Sequence, residues 1–183
     1  MLKDPPNHPF SHSDETFSPA SKPCFLSEDQ PKGPIMIPID FSLDSVEAVK
    51  QGYALSTLVK EPIYLLHVIP KLEEKPNHGK NKKAGKKFRR QRDRAADQMA
   101  RFLRQNNIPA AFEKVGIKYY TTLARGEPLT AILEAAQKVK AGLIILGCGR
   151  NSGPSSHLLG TTTERVLRLA QRPVMVVKHQ LDR

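Results

Sequence analysis

A chain of 183 residues with 39% hydrophobic and 6% aromatic residues, and no Trp, holds enough apolar content for one domain whose core must rest on aliphatics. Its formal net charge of +11 is uneven: residues 71–94 carry eleven Lys/Arg against three acids, a net of +8, which leaves the remainder near neutral and weakens any claim that the whole protein is a nucleic-acid binder. Two cysteines, Cys24 and Cys148, exclude a disulfide framework or metal quartet, and no apolar run approaches the roughly 18 residues of a membrane span, so a soluble cytoplasmic protein without a secretory leader is expected.

Residues 1–33 hold six of the fifteen prolines, lack apolar periodicity and are expected to form a disordered tail. PIMIPI, from Pro34, is short, apolar and β-branched, as a buried strand is, and Asp40 stands at its carboxyl end. Ser42 suits the cap of a helix over 43–60 with Val46, Val49, Tyr53 and Thr57 as its apolar stripe. Pro62 stops that helix and IYLLHVI gives a second buried strand. Residues 70–85 are polar, basic and rich in breakers, and read as a flexible insert. A helix is expected over 86–106, with Phe88, Ala95, Met99, Phe102 and Leu103 on one face and Pro109 ending it. A third strand falls within Phe112–Leu123. Pro128 suits the first position of the next helix, whose stripe is Leu129, Ile132, Leu133, Ala136 and Val139. AGLIILG is the fourth strand. Thr161, Thr162 and Thr163 open a last helix expected to bury Val166, Leu167 and Ala170, and VMVV after Pro173 is the fifth strand. Residues 179–183 remain as a short C-terminal tail.

Strands alternating with helices imply a doubly wound parallel sheet covered on both faces. Ligands of such sheets bind beyond the carboxyl ends of the strands, at the switch point. The loops after strands one, two and four are therefore the candidates.

The segment Gly147–Thr163, GCGRNSGPSSHLLGTTT, follows a buried strand and opens a helix. Its glycines permit close backbone approach, the helix start offers free N–H groups, and Arg150 adds a bidentate cation. That combination reads as a phosphate cradle or as a plain structural loop. Asp40 faces the same crevice, and is otherwise a turn residue. His67 is expected to be a satisfied core histidine, His157 an exposed loop residue. Cys148 has two readings, a thiol activated near Arg150 and a small buried residue, and the second is expected. The run KNKKAGKKFRRQRDR has one aromatic residue, so base stacking is unsupported. A solvated helix face is expected there, or an anionic partner for residues 80–94.

LIILGCGRNSGPSSHLLGTTTERVLRLAQRPVMVV resembles the closing segment of the universal stress proteins, which carries G-x2-G-x9-G-[ST], a helix and a Pro-Val strand. IMIPIDFSLDSVEAV resembles their opening strand, Asp and capped helix; YLLHVI resembles the second strand and RGEPLTAILEAA a helix entry. The resemblance covers residues 34–178, least well over 70–90. It implies an adenine-nucleotide fold of strand order 3-2-1-4-5 and a homodimer through the last strand, Val174–Val177. It also divides the family into members that bind ATP and members that do not. In the former, Asp40 would hold the ribose or adenine side, with Pro38 and Ile39 before it in the nucleotide-binding set, and Val68 would meet the adenine through its backbone. Gly147, Gly160 and Thr161 would surround the phosphates of ATP, with Thr162 at the helix start and Mg2+ held through the phosphates; Leu146 and Arg150 complete the expected nucleotide-binding set. One position departs: Arg150 stands where the second motif glycine belongs, and Gly149 comes one residue early, so the Arg150 side chain either blocks the cradle or swings outward and clamps a phosphate. The expectation is a nucleotide-binding stress-response regulator; the alternative is an interaction module without nucleotide, acting through its basic insert. No nucleophile triad, carboxylate pair or Walker lysine marks it as an enzyme beyond at most a weak ATPase.

Overall fold

The computed structural model describes residues 33–71, 82–149 and 159–179. The N-terminal segment up to residue 32, residues 72–81, Arg150, His157 and the last four residues lie outside them, and with them the expected tails and much of the insert. The elements follow as β1 (Ile35–Pro38), α1 (Leu43–Val59), β2 (Ile63–Pro70), α2 (Lys82–Gln105), α3 (Ile108–Lys114), β3 (Tyr119–Gly126), α4 (Pro128–Lys138), β4 (Leu143–Gly147), α5 (Thr161–Leu169) and β5 (Val174–Val177). All strand pairs are parallel, in the order β3-β2-β1-β4-β5.

Alternation along the central strands builds two cores. Ile35, Ile37, Ile63, Leu65 and Ile145 face one side, where Val49, Met99 and Phe112 of the helices cover them. Met36, Leu66, Ile144 and Leu146 face the other, under Leu129, Ile132 and Val166. A strand buried on both faces must be apolar at every position, which is why these runs show no alternation.

α1 is capped as expected: the Ser45 N–H donates to Ser42 Oγ at 3.2 Å. Its fully buried face is made of Ala48, Val49, Gly52 and Ser56, with Val46 and Tyr53 on the flank. Small side chains let the helix lie close to the sheet.

Three expectations change. α2 begins at Lys82, inside the segment read as insert, because a run of lysines keeps helix propensity even where it has no apolar stripe. Pro109 follows the end of α2 but also opens α3: Asn107 turns the chain at φ 51, and proline's fixed φ suits a first helical turn. α3 then carries Phe112 into the core, stacked on Tyr53 at 5.5 Å and edge-on to Tyr119 at 5.4 Å, so β3 starts at Tyr119 and runs to Gly126. Finally, Leu167 is 46% exposed while Val166 beside it is fully buried. Among the described residues no helix is long and apolar enough to cross a membrane.

Candidate functional site

The sheet opens between β1 and β4. Their pairing stops at Met36 opposite Ile144, although β1 continues to Pro38 and β4 to Gly147. Ile35 and Ile39 donate their N–H groups toward β2, to Pro62 O at 2.9 Å and Leu66 O at 2.7 Å. Alternation turns the nitrogen of Pro38 toward β4, and proline has no hydrogen to offer there. The strands part and leave a crevice of about 420 Å³ at their carboxyl ends.

Pro38, Ile39, Asp40, Val68, Leu146, Gly147, Gly160, Thr161 and Thr162, nine of the ten candidate residues, all line this crevice. Arg150, the tenth, is outside the described residues.

Asp40 sits in a tight turn. The Ser42 N–H donates to Asp40 Oδ1 at 3.0 Å and the Ser45 hydroxyl donates to the same oxygen at 2.6 Å. The Asp40 N–H in return donates to Ser45 Oγ at 3.0 Å. Burial pulls the carboxyl up, but these hydrogen bonds from Ser42 and Ser45 outweigh it and hold Asp40 below its ordinary 3.8. The group is a fixed carboxylate at neutral pH, an acceptor for hydroxyl or amino groups. The turn bends at Phe41, whose φ of 66 is unusual for an aromatic residue. Its ring lies tilted by 35° against His67 at 4.4 Å and meets Phe102 edge-on at 5.8 Å.

His67 is satisfied, as expected, yet it lines the crevice instead of being sealed in the core. Its Nδ1 lies 2.7 Å from Ile39 O; a carbonyl only accepts, so Nδ1 carries the proton. In the neutral ring Nε2 is then left as an acceptor.

The glycine loop is shaped by packing. A Cβ on Gly147 would stand 2.7 Å from Asp44 Cβ and 2.9 Å from the Asp44 carbonyl carbon, so only glycine lets β4 pass the first turn of α1. Among the described residues of the loop, the left-handed one is Gly149, with φ +75, one place before Arg150. The early glycine thus serves a turn of its own. Gly160 caps α5 and donates its N–H to Cys148 O at 2.8 Å. Buried Thr163 donates its hydroxyl to Gly147 O at 3.0 Å and fixes the helix to the strand end. The first-turn N–H groups of α5, which an α-helix cannot satisfy internally, belong to residues lining the crevice.

Ser45, His67, Gly149 and Thr163 were not among the expected site residues. Ser45 and Thr163 had a signal, being hydroxyls in the first turns of the two helices that border the crevice. Cys148 proves the opposite of an activated thiol. Burial raises its pKa, and the hydrogen bond to Asp44 Oδ2 at 3.3 Å and that carboxylate's charge raise it further. Asp44 is itself buried and also accepts the His179 N–H at 2.8 Å.

Residues 33–178 match the family model described as the universal stress protein family. Universal stress protein MJ0577 of Methanocaldococcus jannaschii is 29% identical over 155 residues, covering 80% of this chain and 94% of its own length. The solved structure of MJ0577 overlays with a TM-score of 0.59 at 27% identity, over 84% of this chain and 99% of that one. The universal stress protein UspA from Lactobacillus plantarum shares the fold at a TM-score of 0.64 and 18% identity, over 80% and 98% of the two chains. So does a universal stress protein from Archaeoglobus fulgidus solved with dAMP, at a TM-score of 0.56 and 18% identity, over 81% and 99%.

Proposed function

Because the chain belongs to the universal stress protein family, we propose that its crevice binds an adenine nucleotide, ATP or a close relative, and that the protein acts as a stress-response regulator through that ligand. One observation carries the reading: the fixed carboxylate of Asp40 and the opening turn of α5 line the same crevice of about 420 Å³. A pocket of this size suits a small ligand. Ile39, Val68, Ile132 and Leu146 supply apolar wall for a base. Asp40 accepts from ribose hydroxyls or the adenine side, with Pro38 beside it, and Val68 meets the adenine through its backbone. Gly147, Gly160, Thr161 and Thr162 surround the phosphates, where helix amides and dipole favour negative oxygens. Among the described residues no group of three His, Cys, Asp or Glu stands ready for a metal, so Mg2+ would be held through the phosphates. The dAMP carried by the Archaeoglobus fulgidus relative supports an adenine nucleotide in this fold. The reading is one of binding, with at most weak hydrolysis.

β5 is a sheet edge of four half-buried apolar residues, paired only with β4 within the described chain. An apolar edge calls for cover, and a second copy of the same strand provides it. A homodimer through Val174–Val177 would tie the assembly to the ligand, since Val177 pairs with Gly147 at the crevice. Two sparse cysteines suit a reducing cytoplasm. The alternative, an interaction module without nucleotide, draws on the exposed basic face of α2.

Calorimetric titration with Mg-ATP, ADP and AMP tests the reading, with Asp40→Ala beside the natural chain. Saturable binding that the variant loses is expected. Absence of heat and of thermal shift with all three nucleotides overturns it. Light scattering at micromolar concentration tests the dimer, and a monomer mass refutes that part.

A further inference from the structure

α2 carries ten Lys/Arg and two acids, most of the net charge of the chain. Its apolar side is already occupied. Ala95, Met99 and Phe102 are buried, and Phe88 holds the guanidinium of Arg125 4.4 Å above its ring. The outward side is basic. Lys87, Arg90, Arg94 and Arg101 are all exposed. Their spacing of three, four and seven places them on one line along about 21 Å of helix, with exposed Asp97 the one acid on that line, between Arg94 and Arg101. The one ion pair on this helix among the described residues joins adjacent Arg92 and Asp93, at 3.6 Å. Ala96 is the only apolar side chain among the exposed described residues of α2.

Such a row repels itself and gains from a polyanion. Partner classes differ in what else they need. A protein interface needs buried apolar or aromatic anchors at its centre. An anionic membrane surface attracts a basic row, but a helix that lies in the interface also has an apolar face to insert. α2 offers neither outward. A sugar–phosphate backbone needs only regularly placed cations, and the guanidinium fork matches phosphate in two bonds. We infer that the outward row of α2 docks the phosphate backbone of a nucleic acid without reading its bases. The scarcity of aromatics that argues against base stacking leaves backbone docking untouched. Phe88, the one aromatic in the basic run, is held under Arg125.

The experiment is fluorescence anisotropy of the full chain against a labelled mixed-sequence duplex of about 24 base pairs across a salt series. The row variant combines Arg90→Glu, Arg94→Glu and Arg101→Glu. A control with equal charge change combines Lys114→Glu, Lys118→Glu and Lys138→Glu, all exposed and off this helix. Circular dichroism checks that both stay folded. The natural chain should bind, with an affinity that falls steeply as salt rises. The row variant should bind at least about tenfold more weakly, with a log–log salt slope shallower by about three, and the control should stay within about threefold. Equal weakening of row variant and control overturns the proposal, because net charge alone would then explain binding. So does failure to bind the duplex, whether or not polyglutamate or phosphatidylserine vesicles bind instead. A strong preference among duplex sequences overturns the claim that bases are not read. None of these outcomes depends on a nucleotide in the crevice.

Discussion

Replacing Gly147 with Ala would put a methyl group 2.7 Å from Asp44 Cβ, 2.9 Å from the Asp44 carbonyl carbon and 3.1 Å from its oxygen. Those atoms belong to the first turn of α1 and cannot swing aside. The helix start must retreat, which draws Asp44 away from the His179 N–H, now at 2.8 Å, and from the Cys148 thiol, now at 3.3 Å. Overpacking of this kind costs about 1–3 kcal/mol, and a weakened buried hydrogen bond adds about 1 kcal/mol. With a urea dependence of about 2 kcal/mol per molar, the unfolding midpoint should fall by about 1–2 M. Gly160→Ala is the contrast. Its new methyl would meet Cys148 O and Gly149 Cα at 3.3 Å, and Gly160 already has an ordinary φ of −60. The expected loss there is under about 1 kcal/mol, while the narrowed loop should weaken nucleotide binding. An unchanged midpoint for Gly147→Ala, or a larger loss for Gly160→Ala, would refute the view that Gly147 is a packing residue first.

Ser45→Ala removes the 2.6 Å donor to Asp40 Oδ1, so the Asp40 pKa should rise toward 3.8 when followed by carboxyl NMR; an unmoved midpoint counts against the turn described above. A depressed carboxylate stabilises the fold at neutral pH and loses that contribution as pH falls through its own low pKa, so the variant should lose it at a higher pH. In a Cys24→Ser background, Cys148 should alkylate more slowly near about pH 7.5 than a free cysteine peptide, because its raised pKa leaves less thiolate. Faster alkylation than the peptide would contradict the contact with Asp44. Phe112→Ala should cost about 3–5 kcal/mol in urea unfolding, and a cost near zero would show that α3 is not part of the core.

The central strands were legible because β1, β2 and β4 are buried on both sides, which forces continuous apolar runs. β3 was blurred for the opposite reason: it is an edge strand with Tyr120 half exposed, and its pattern neither alternates nor saturates. α3 was hidden behind Pro109, since one proline can end one helix and begin another, and the left-handed turn at Asn107 that separates them leaves little trace in residue type. At the site, Asp40 and the threonines of α5 could be read from their place after a strand or before a helix. The double hydrogen bond from Ser45, the tautomer of His67 and the packing duty of Gly147 could not, because each depends on an atom brought in from another loop or strand.

The missing hydrogen of Pro38 has a consequence for how a guest enters. The gap between β1 and β4 is written into main-chain chemistry, since Pro38 has no N–H with which to close it. No ladder bond has to break before something moves in, and the protein bears little reorganisation cost on binding. Affinity differences among candidate ligands should therefore report their direct contacts with the walls, not the ease of opening. Pro38→Val would return a donor to that side and invite the two strands to zip shut.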